Sequence, residues 1–328
     1  MKTKSKVKKI ALLTSGGDAP GMNAAIRSIV RVATYYELET EGIMRGYKGL
    51  INDEFIAMGP RSVSNIIQRG GTILKTSRCL EFETDEGIQQ AAHNLDAHNI
   101  DALIVIGGDG SFRGAHKLGT AWSGQIIGVP GTIDNDLFGS DWTIGYDTAV
   151  NTALDAIDKI RDTADAHERF FVIEVMGRHA GFIGLEVSVS GGAEEVFIPE
   201  TKADLHTISE RLIASRKRGK TSSIIIVSEG DEEGNAFEIA EKLKNITSSK
   251  YHVAVLGHIQ RGGSPTSADR RLATELGAFA VEELLKGSSG IAVGKIDKQL
   301  TITSLPDTWM NKKPLDQYLL HLSPILSI

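Results

Sequence analysis

The chain has 328 residues, 41% hydrophobic and 24% charged, an ordinary globular mixture long enough for two lobes. Its net charge of -6 argues against nonspecific nucleic-acid binding, so an anionic ligand has to be met by locally concentrated Arg and Lys. The one cysteine, Cys79, excludes an intrachain disulfide and a Cys-rich zinc site and points to a reduced, cytoplasmic setting.

The start, MKTKSKVKK, imitates the basic head of a signal peptide, but the apolar run behind it, Ile10 to Leu13, stops at a Gly-Gly turn and is too short for a signal core. No run approaches the ~20 apolar residues of a membrane span. Short runs rich in Val, Ile and Leu then recur at residues 10–14, 102–106, 126–129, 170–175, 223–227 and 253–257. They lack polar alternation, as strands of a parallel sheet covered on both faces do. Between them lie stretches of helical period. Residues 148–160 set Val150, Ala153, Leu154 and Ile157 on one face, with Asp147 as candidate cap. Residues 269–286 do the same with Leu272, Leu276, Ala280 and Leu284, and Gly287 is the stop. The alternation predicts an α/β protein of two doubly wound, Rossmann-like lobes with mainly parallel sheets.

Ligands of such sheets bind beyond the carboxyl ends of the strands. There this chain places Ser15–Asp18, Gly107–Ser111, Pro130–Asp136, Met176–Arg178, Ser228–Gly230 and His258–Gly263. Solubility does not demand Gly, Asp, Arg, Glu and His at six strand ends; an anion-binding catalytic site does. The loop 107–111 opens a helix, so its backbone N–H groups and the helix N-terminus can face phosphate, with Asp109 toward Mg²⁺. A tight strand-to-helix turn also produces Gly-Gly-Asp-Gly. Asp134 is a candidate base for a hydroxyl accepting a phosphoryl group; an isolated Asp-Asn-Asp more often makes an Asx turn. Arg78, Arg169, Arg178 and Arg261 are candidate phosphate ligands, each otherwise a surface ion-pair former. His258 and Glu229 could meet a sugar or its phosphate. There is no P-loop, no G-x-G-x-x-G after the first strand, no His/Cys metal spacing and no G-x-S-x-G elbow.

Six segments in order, TSGGDAPGMNAAIR (14–27), GGDGS (107–111), PGTIDND (130–136), IDKIRDT (157–163), VMGRHAG (175–181) and LGHIQRGGSP (256–265), resemble the bacterial ATP-dependent 6-phosphofructokinases over nearly the whole chain. The resemblance implies transfer of a phosphoryl group from MgATP to fructose 6-phosphate, in a cleft between interleaved lobes. These would comprise residues 1–145 plus about 260–310, and about 146–259 plus 311–328. It implies nucleotide contacts at Gly17, Tyr47, Arg78, Cys79, Gly108, Asp109, Gly110 and Ser111, with Asp109 on Mg²⁺. Catalysis would fall to Asp134, Arg78, Thr132 and Arg178. Sugar-phosphate contacts would come from Thr132, Ile133, Asp134, Met176, Gly177, Arg178, Glu229, His252, His258, Ile259, Gln260 and Arg261. Arg169 would reach in from a neighbouring subunit of a homotetramer. An effector site between subunits, for a nucleoside diphosphate or phosphoenolpyruvate, would use Arg27, Arg31, Arg161, Gly192, Ala193, Glu194, Arg218, Lys220 and Ser222. Arg27 and Arg31, i,i+4 on a helix, also read as a solvated basic face.

In pyrophosphate-using relatives Asp stands in the place of Gly110 and Lys in that of Gly131. Glycine at both leaves room for the α-phosphate and predicts ATP as donor. The chain departs from the family where His252 replaces an Arg, where Pro60 followed by Arg61 replaces an effector Arg, where Ser222 replaces a His, and at Cys79, Leu80 and Glu83 near the nucleotide. Rival readings are a pyrophosphate-dependent phosphofructokinase, a kinase of a related sugar phosphate, a lipid or NAD kinase with a similar glycine loop, and a silent nucleotide sensor.

Overall fold

The structure is a computed structural model and describes residues 7–202 and 204–326; the first six residues of the basic start and the last two of the chain lie outside these. The described residues form two compact units, 7–133, 137–148 and 261–313 in the first and 134–136, 149–202, 204–260 and 314–326 in the second.

The first unit begins β1 (Lys9–Thr14), α1 (Met22–Tyr35), β2 (Glu39–Ile43), α2 (Tyr47–Ile51), β3 (Phe55–Met58), α3 (Asp85–Ala97), β4 (Ala102–Gly107), α4 (Asp109–Leu118) and β5 (Gln125–Pro130). Helix α5 (Tyr146–Ala166) carries the chain onward. It starts one residue before Asp147, which therefore sits in the first turn and not at the cap.

The second unit adds β6 (Phe170–Val175), α6 (Phe182–Ser190), β7 (Glu195–Phe197), α7 (Leu205–Lys217), β8 (Ser223–Ser228), α8 (Ala236–Thr247) and β9 (Tyr251–Val255). Then come α9 (Ser267–Lys286), β10 (Ile291–Ile296), β11 (Gln299–Ser304) and α10 (Asp307–Met310), which complete the first unit, and α11 (Gln317–Leu326), which belongs to the second.

The first sheet runs β11-β10-β5-β4-β1-β2-β3, parallel through the middle and antiparallel at β2-β3 and β10-β11. Winding reverses between β1 and β4, the crevice where open α/β sheets bind ligands. Both faces are covered, which is why the central strands are apolar without alternation. Ala11, Leu13, Leu103 and Val105 pack with α3 and α4, while the alternate residues Ile10, Leu12, Ile104 and Ile106 are equally buried on the face of α1 and α9. The second sheet is wholly parallel, β7-β8-β6-β9, and reverses between β6 and β9. Val172, Ile225 and Val227 pack with Ile208, Leu212, Ile239 and Leu243 of α7 and α8. Strand β9 corrects one expectation: it is an edge strand, only half-buried. Helix α9 ends on Gly287 in the left-handed conformation, the stop read from sequence.

Candidate active site

In the first unit the predicted nucleotide residues gather at the β1/β4 reversal. The Ser15 amide donates to the Ile106 carbonyl at 3.0 Å, holding the two strand ends together. A Cβ on Gly107 would lie 2.7 Å from the Ser15 carbonyl and 2.6 Å from Ser111 Cβ, so only glycine passes there. Gly108 is the N-cap of α4, and Asp109 and Gly110 form its open first turn; around a Cβ on Gly110 there is free space to 4 Å. This is the geometry in which amides and the helix dipole meet phosphate.

The segment carrying Arg78 and Cys79 is tied to the same place. The Thr14 hydroxyl donates to the Lys75 carbonyl at 2.8 Å and the Thr76 hydroxyl to that of Gly16 at 2.6 Å. Arg78 is exposed and Cys79 half-buried. The Arg261 guanidinium lies against Gly17, where a Cβ would meet it at 1.5 Å. Arg261, expected with the sugar phosphate, thus stands beside Gly17, which the resemblance assigns to the nucleotide.

Two further placements differ from the sequence reading, and one residue was missed. Tyr47 is 6% exposed, stacks on Phe82 with ring centroids 3.9 Å apart and donates its hydroxyl to the Ser111 carbonyl at 2.5 Å. Burial drives its phenol pKa far above the usual range. It braces the α4 turn from behind and does not line an open nucleotide face. At Gly131 a Cβ would meet Ile106 Cγ2 at 2.9 Å and Met22 Cε at 3.2 Å, so this glycine serves local packing; the open space is at Gly110. Sequence reasoning missed Arg113, whose Nε donates to Asp109 Oδ1 at 2.8 Å while its guanidinium lies over the Trp309 ring at 5.0 Å. An Arg four residues after an Asp on a helix was the available signal.

In the second unit the predicted residues lie at the carboxyl ends of β6, β8 and β9. Asp134 is 4% exposed, and Arg178 Nε is 3.6 Å from its Oδ2. Arg178 holds φ 54°, after Gly177 at φ 152°. The Ala180 amide donates to the Gly177 carbonyl, and a Cβ on Gly177 would sit 2.5 Å from the Ala180 carbonyl. The Arg178 amide points to Glu229 Oε2 at 3.4 Å, and the Glu229 amide donates to the Val175 carbonyl at 2.9 Å. Gln260, fully buried, accepts from the Met176 amide at 2.8 Å and so acts inside the loop, while His258 and Ile259 are exposed. Thr132 and Ile133 precede Asp134 directly, at the end of a first-unit segment.

Arg169 and His252 are not brought to these loops. Arg169 precedes β6 and His252 pairs with Phe171 near the start of β9, so both sit at the amino ends of the strands. Seven residue steps of extended chain, about 23 Å, separate Arg169 from Met176. His252 lies beside the Phe171 ring, centroids 5.3 Å apart, and its pKa is lowered by burial and by the charges of Lys250 and Arg169.

Among the effector candidates, Arg161 donates to the Gly191 carbonyl and, at 2.8 Å, to that of Gly192; Lys220 pairs with Glu194 at 2.7 Å. The Ala193 and Glu194 amides donate to Ser188 and Ile224 carbonyls. Arg218 follows α7 exposed, and Ser222 is half-buried. Arg27 and Arg31 are on α1 in the first unit.

The family model for phosphofructokinase matches residues 9–284. The chain belongs to the phosphofructokinase family. It is 53% identical to ATP-dependent 6-phosphofructokinase 1 of Thermus thermophilus over 98% of this chain and all of the relative, and 52% identical to the ATP-dependent 6-phosphofructokinase of Bacillus subtilis with the same coverage. The solved phosphofructokinase of Saccharomyces cerevisiae superposes with a TM-score of 0.84 at 34% identity, over 92% of this chain and 45% of that one. A pyrophosphate-dependent phosphofructokinase from Marinobacter aquaeolei, 23% identical with a TM-score of 0.81 over 95% of this chain and 86% of that one, shares the fold. The mixed α/β architecture with parallel sheets is that of the family. No helix among the described residues is long and apolar enough to cross a membrane.

Proposed function

We propose that this chain moves the γ-phosphoryl group of ATP to the 1-hydroxyl of fructose 6-phosphate, releasing ADP and fructose 1,6-bisphosphate, as a kinase of glycolysis. The observation that carries the reading is the buried Asp134 carboxylate beside the Arg178 guanidinium at the end of β6. As the new P–O bond forms and the bond to ADP breaks, the hydroxyl proton passes to Asp134. The neighbouring Arg178 guanidinium lies against that carboxylate and meets phosphate oxygens during transfer. The α4 N-terminus, with Gly108 to Ser111, Arg78 and Arg261, holds the donor's phosphates; Thr132 and Ile133 help to place the acceptor.

Mg²⁺ fits the donor set. Among the described residues no cluster of three or more His, Cys, Asp or Glu could cage a metal, but a lone half-exposed Asp109 suits an ion that keeps its waters and takes its other ligands from phosphates. When bound, Mg²⁺ would offset the phosphate charge, and Arg113, which donates to Asp109 Oδ1, would compete with it for that carboxylate.

Arg169, Lys250 and His252 form a basic cluster too far along the strands to serve their own unit's loops. In this reading they serve the sugar phosphate of a second copy, so that the working form is an oligomer, taken as a tetramer. Arg161, Gly192 to Glu194, Arg218 and Lys220, with Arg27 and Arg31, are read as an effector site for a nucleoside diphosphate or phosphoenolpyruvate, and the cytoplasm as the place of work. The test is ADP formation from MgATP and fructose 6-phosphate by wild type and Asp134→Asn. A fall of roughly 10²-fold or more supports the assignment. A wild type inactive with ATP overturns it and turns attention to pyrophosphate and other sugar phosphates.

A further inference from the structure

Asp269, in the first turn of α9, is 1% exposed, and three donors converge on it. The Gly145 amide reaches Oδ1 at 2.8 Å; the Thr148 amide and hydroxyl reach Oδ2 at 2.8 and 2.5 Å. Gly145 and Thr148 bracket the start of α5, so a carboxylate from another helix satisfies amides that the helix itself leaves open. A side-chain acid within α9 thus does for α5 what an N-cap does.

The grip extends to the segment before Asp134. Residues next to Gly145 are zipped onto it: the Ile144 amide donates to the Pro130 carbonyl at 2.9 Å, Ile144 bridges Gly131, and the Thr143 hydroxyl donates to the Thr132 carbonyl at 2.6 Å. Close packing closes the node from the other side. A Cβ on Gly21 would meet Ile144 Cγ2 at 2.6 Å and Asp269 Cβ at 3.6 Å, and one on Gly145 would meet the Ala19 side chain at 2.6 Å.

We propose that Asp269 is a positioning residue for phosphoryl transfer: through the start of α5 and residues 143–145 it fixes the backbone that delivers Thr132 and Asp134. This rests on the reaction proposed above. Neutral Asn or Ser would cap a helix with no charge to bury, so the retained carboxylate is costly. Burial is the main cause that pushes its pKa up from 3.8 to about 6, against the three donors; the Asp147 charge on α5 pushes the same way. Asp147 itself accepts a hydrogen bond from Thr266, and the Arg270 side chain turns away to the Pro265 carbonyl and the Ser264 hydroxyl. Once protonated, Asp269 loses its charge, accepts more weakly from its three donors and brings an O–H that needs an acceptor of its own. Because the folded value lies above the unfolded one, the folded chain holds the extra proton between about 3.8 and about 6. Asp269's own contribution to stability therefore rises on acidification while its hold on the loop weakens, so an acid loss of activity through this residue is not unfolding.

The experiment measures kcat and both Michaelis constants across pH about 5.5 to 8 for wild type, Asp269→Asn and Thr148→Val, with amide hydrogen exchange on all three. Expected are a fall in kcat of about tenfold to 10²-fold for Asp269→Asn with the MgATP constant within about twofold. For Thr148→Val, loss of one donor moves the acid limb of kcat to higher pH. Wild-type kcat and an unmoved limb in both variants overturn the proposal, and if Asp269→Asn does not fold, an unmoved limb in Thr148→Val alone overturns it. Exchange separates the two readings: faster exchange at 130–136 and 143–148 in either variant supports the grip even if wild type proves inactive with fructose 6-phosphate, and unchanged exchange sinks it.

Discussion

At the carboxyl ends of β1 and β4 the first unit turns on glycine and presents amides and a helix N-terminus; at those of β6, β8 and β9 the second unit presents Asp134, Arg178, Glu229 and His258 as side chains. A polyphosphate has many equivalent oxygens and is met by backbone, whose geometry is set by fold. A single hydroxyl and its proton need a group of given acidity in one place, which only a side chain supplies. If the proposed roles hold, the two regions are expected to fail differently when altered, through stability and donor affinity in one and through turnover in the other.

Asp134→Asn should break the second region most cleanly, with kcat down by roughly 10² or more and the melting temperature nearly kept, read by ADP release and calorimetry. Gly107→Ala should do the reverse. Its Cβ meets the Ser15 carbonyl at 2.7 Å, an overpacking that costs about 1–3 kcal/mol, visible as a lower melting temperature together with weaker ATP binding. Gly110→Ala sharpens the contrast within one turn: with nothing within 4 Å its fold is unstrained and α4 gains up to about 1 kcal/mol, so any rise in the ATP Michaelis constant reports the phosphate itself.

At the amino ends of the second sheet, His252→Arg should lower the fructose 6-phosphate Michaelis constant severalfold at pH 8. There His252, its pKa held below the ordinary value by burial and by Lys250 and Arg169, is neutral. The advantage should shrink as pH falls and the imidazole takes up its proton; equal constants at pH 8 would sink the assignment. The smallest effect is expected from Arg113→Ala. Its exposed pair with Asp109 is worth about 0.2–1 kcal/mol, so Mg²⁺ half-saturation should fall by no more than about fivefold, followed through Trp309 fluorescence.

The buried strands were legible because a strand covered on both faces can only be apolar, and the residues after them because open sheets bind ligands at one end. What escaped the sequence depended on partners far along the chain. Strand β2 reads ETEGI and β11 reads QLTITS, edge or near-edge segments whose pairing decides their state. Tyr47 looked like a ligand until Phe82 and Ser111 enclosed it, and Gly131 looked like empty space until Ile106 and Met22 filled the direction of its missing Cβ. Thr266 caps α9 three residues before Asp269, a helix-start spacing present in the sequence but not read from it. That Asp269 would cap a different helix needed residues 145–148 brought from 120 positions away.

Interleaving has a consequence for how the molecule is born. Strand β5 pairs on its outer side with β10, whose residues follow some 160 positions later. At a synthesis rate of about 5–20 residues per second the nascent first sheet waits about 10 to 30 s with that edge open, while nearly all of the second unit emerges from the ribosome. For that interval the strand Gln125–Pro130, paired only with β4, leaves its outer edge open, the segment a chaperone would be expected to hold.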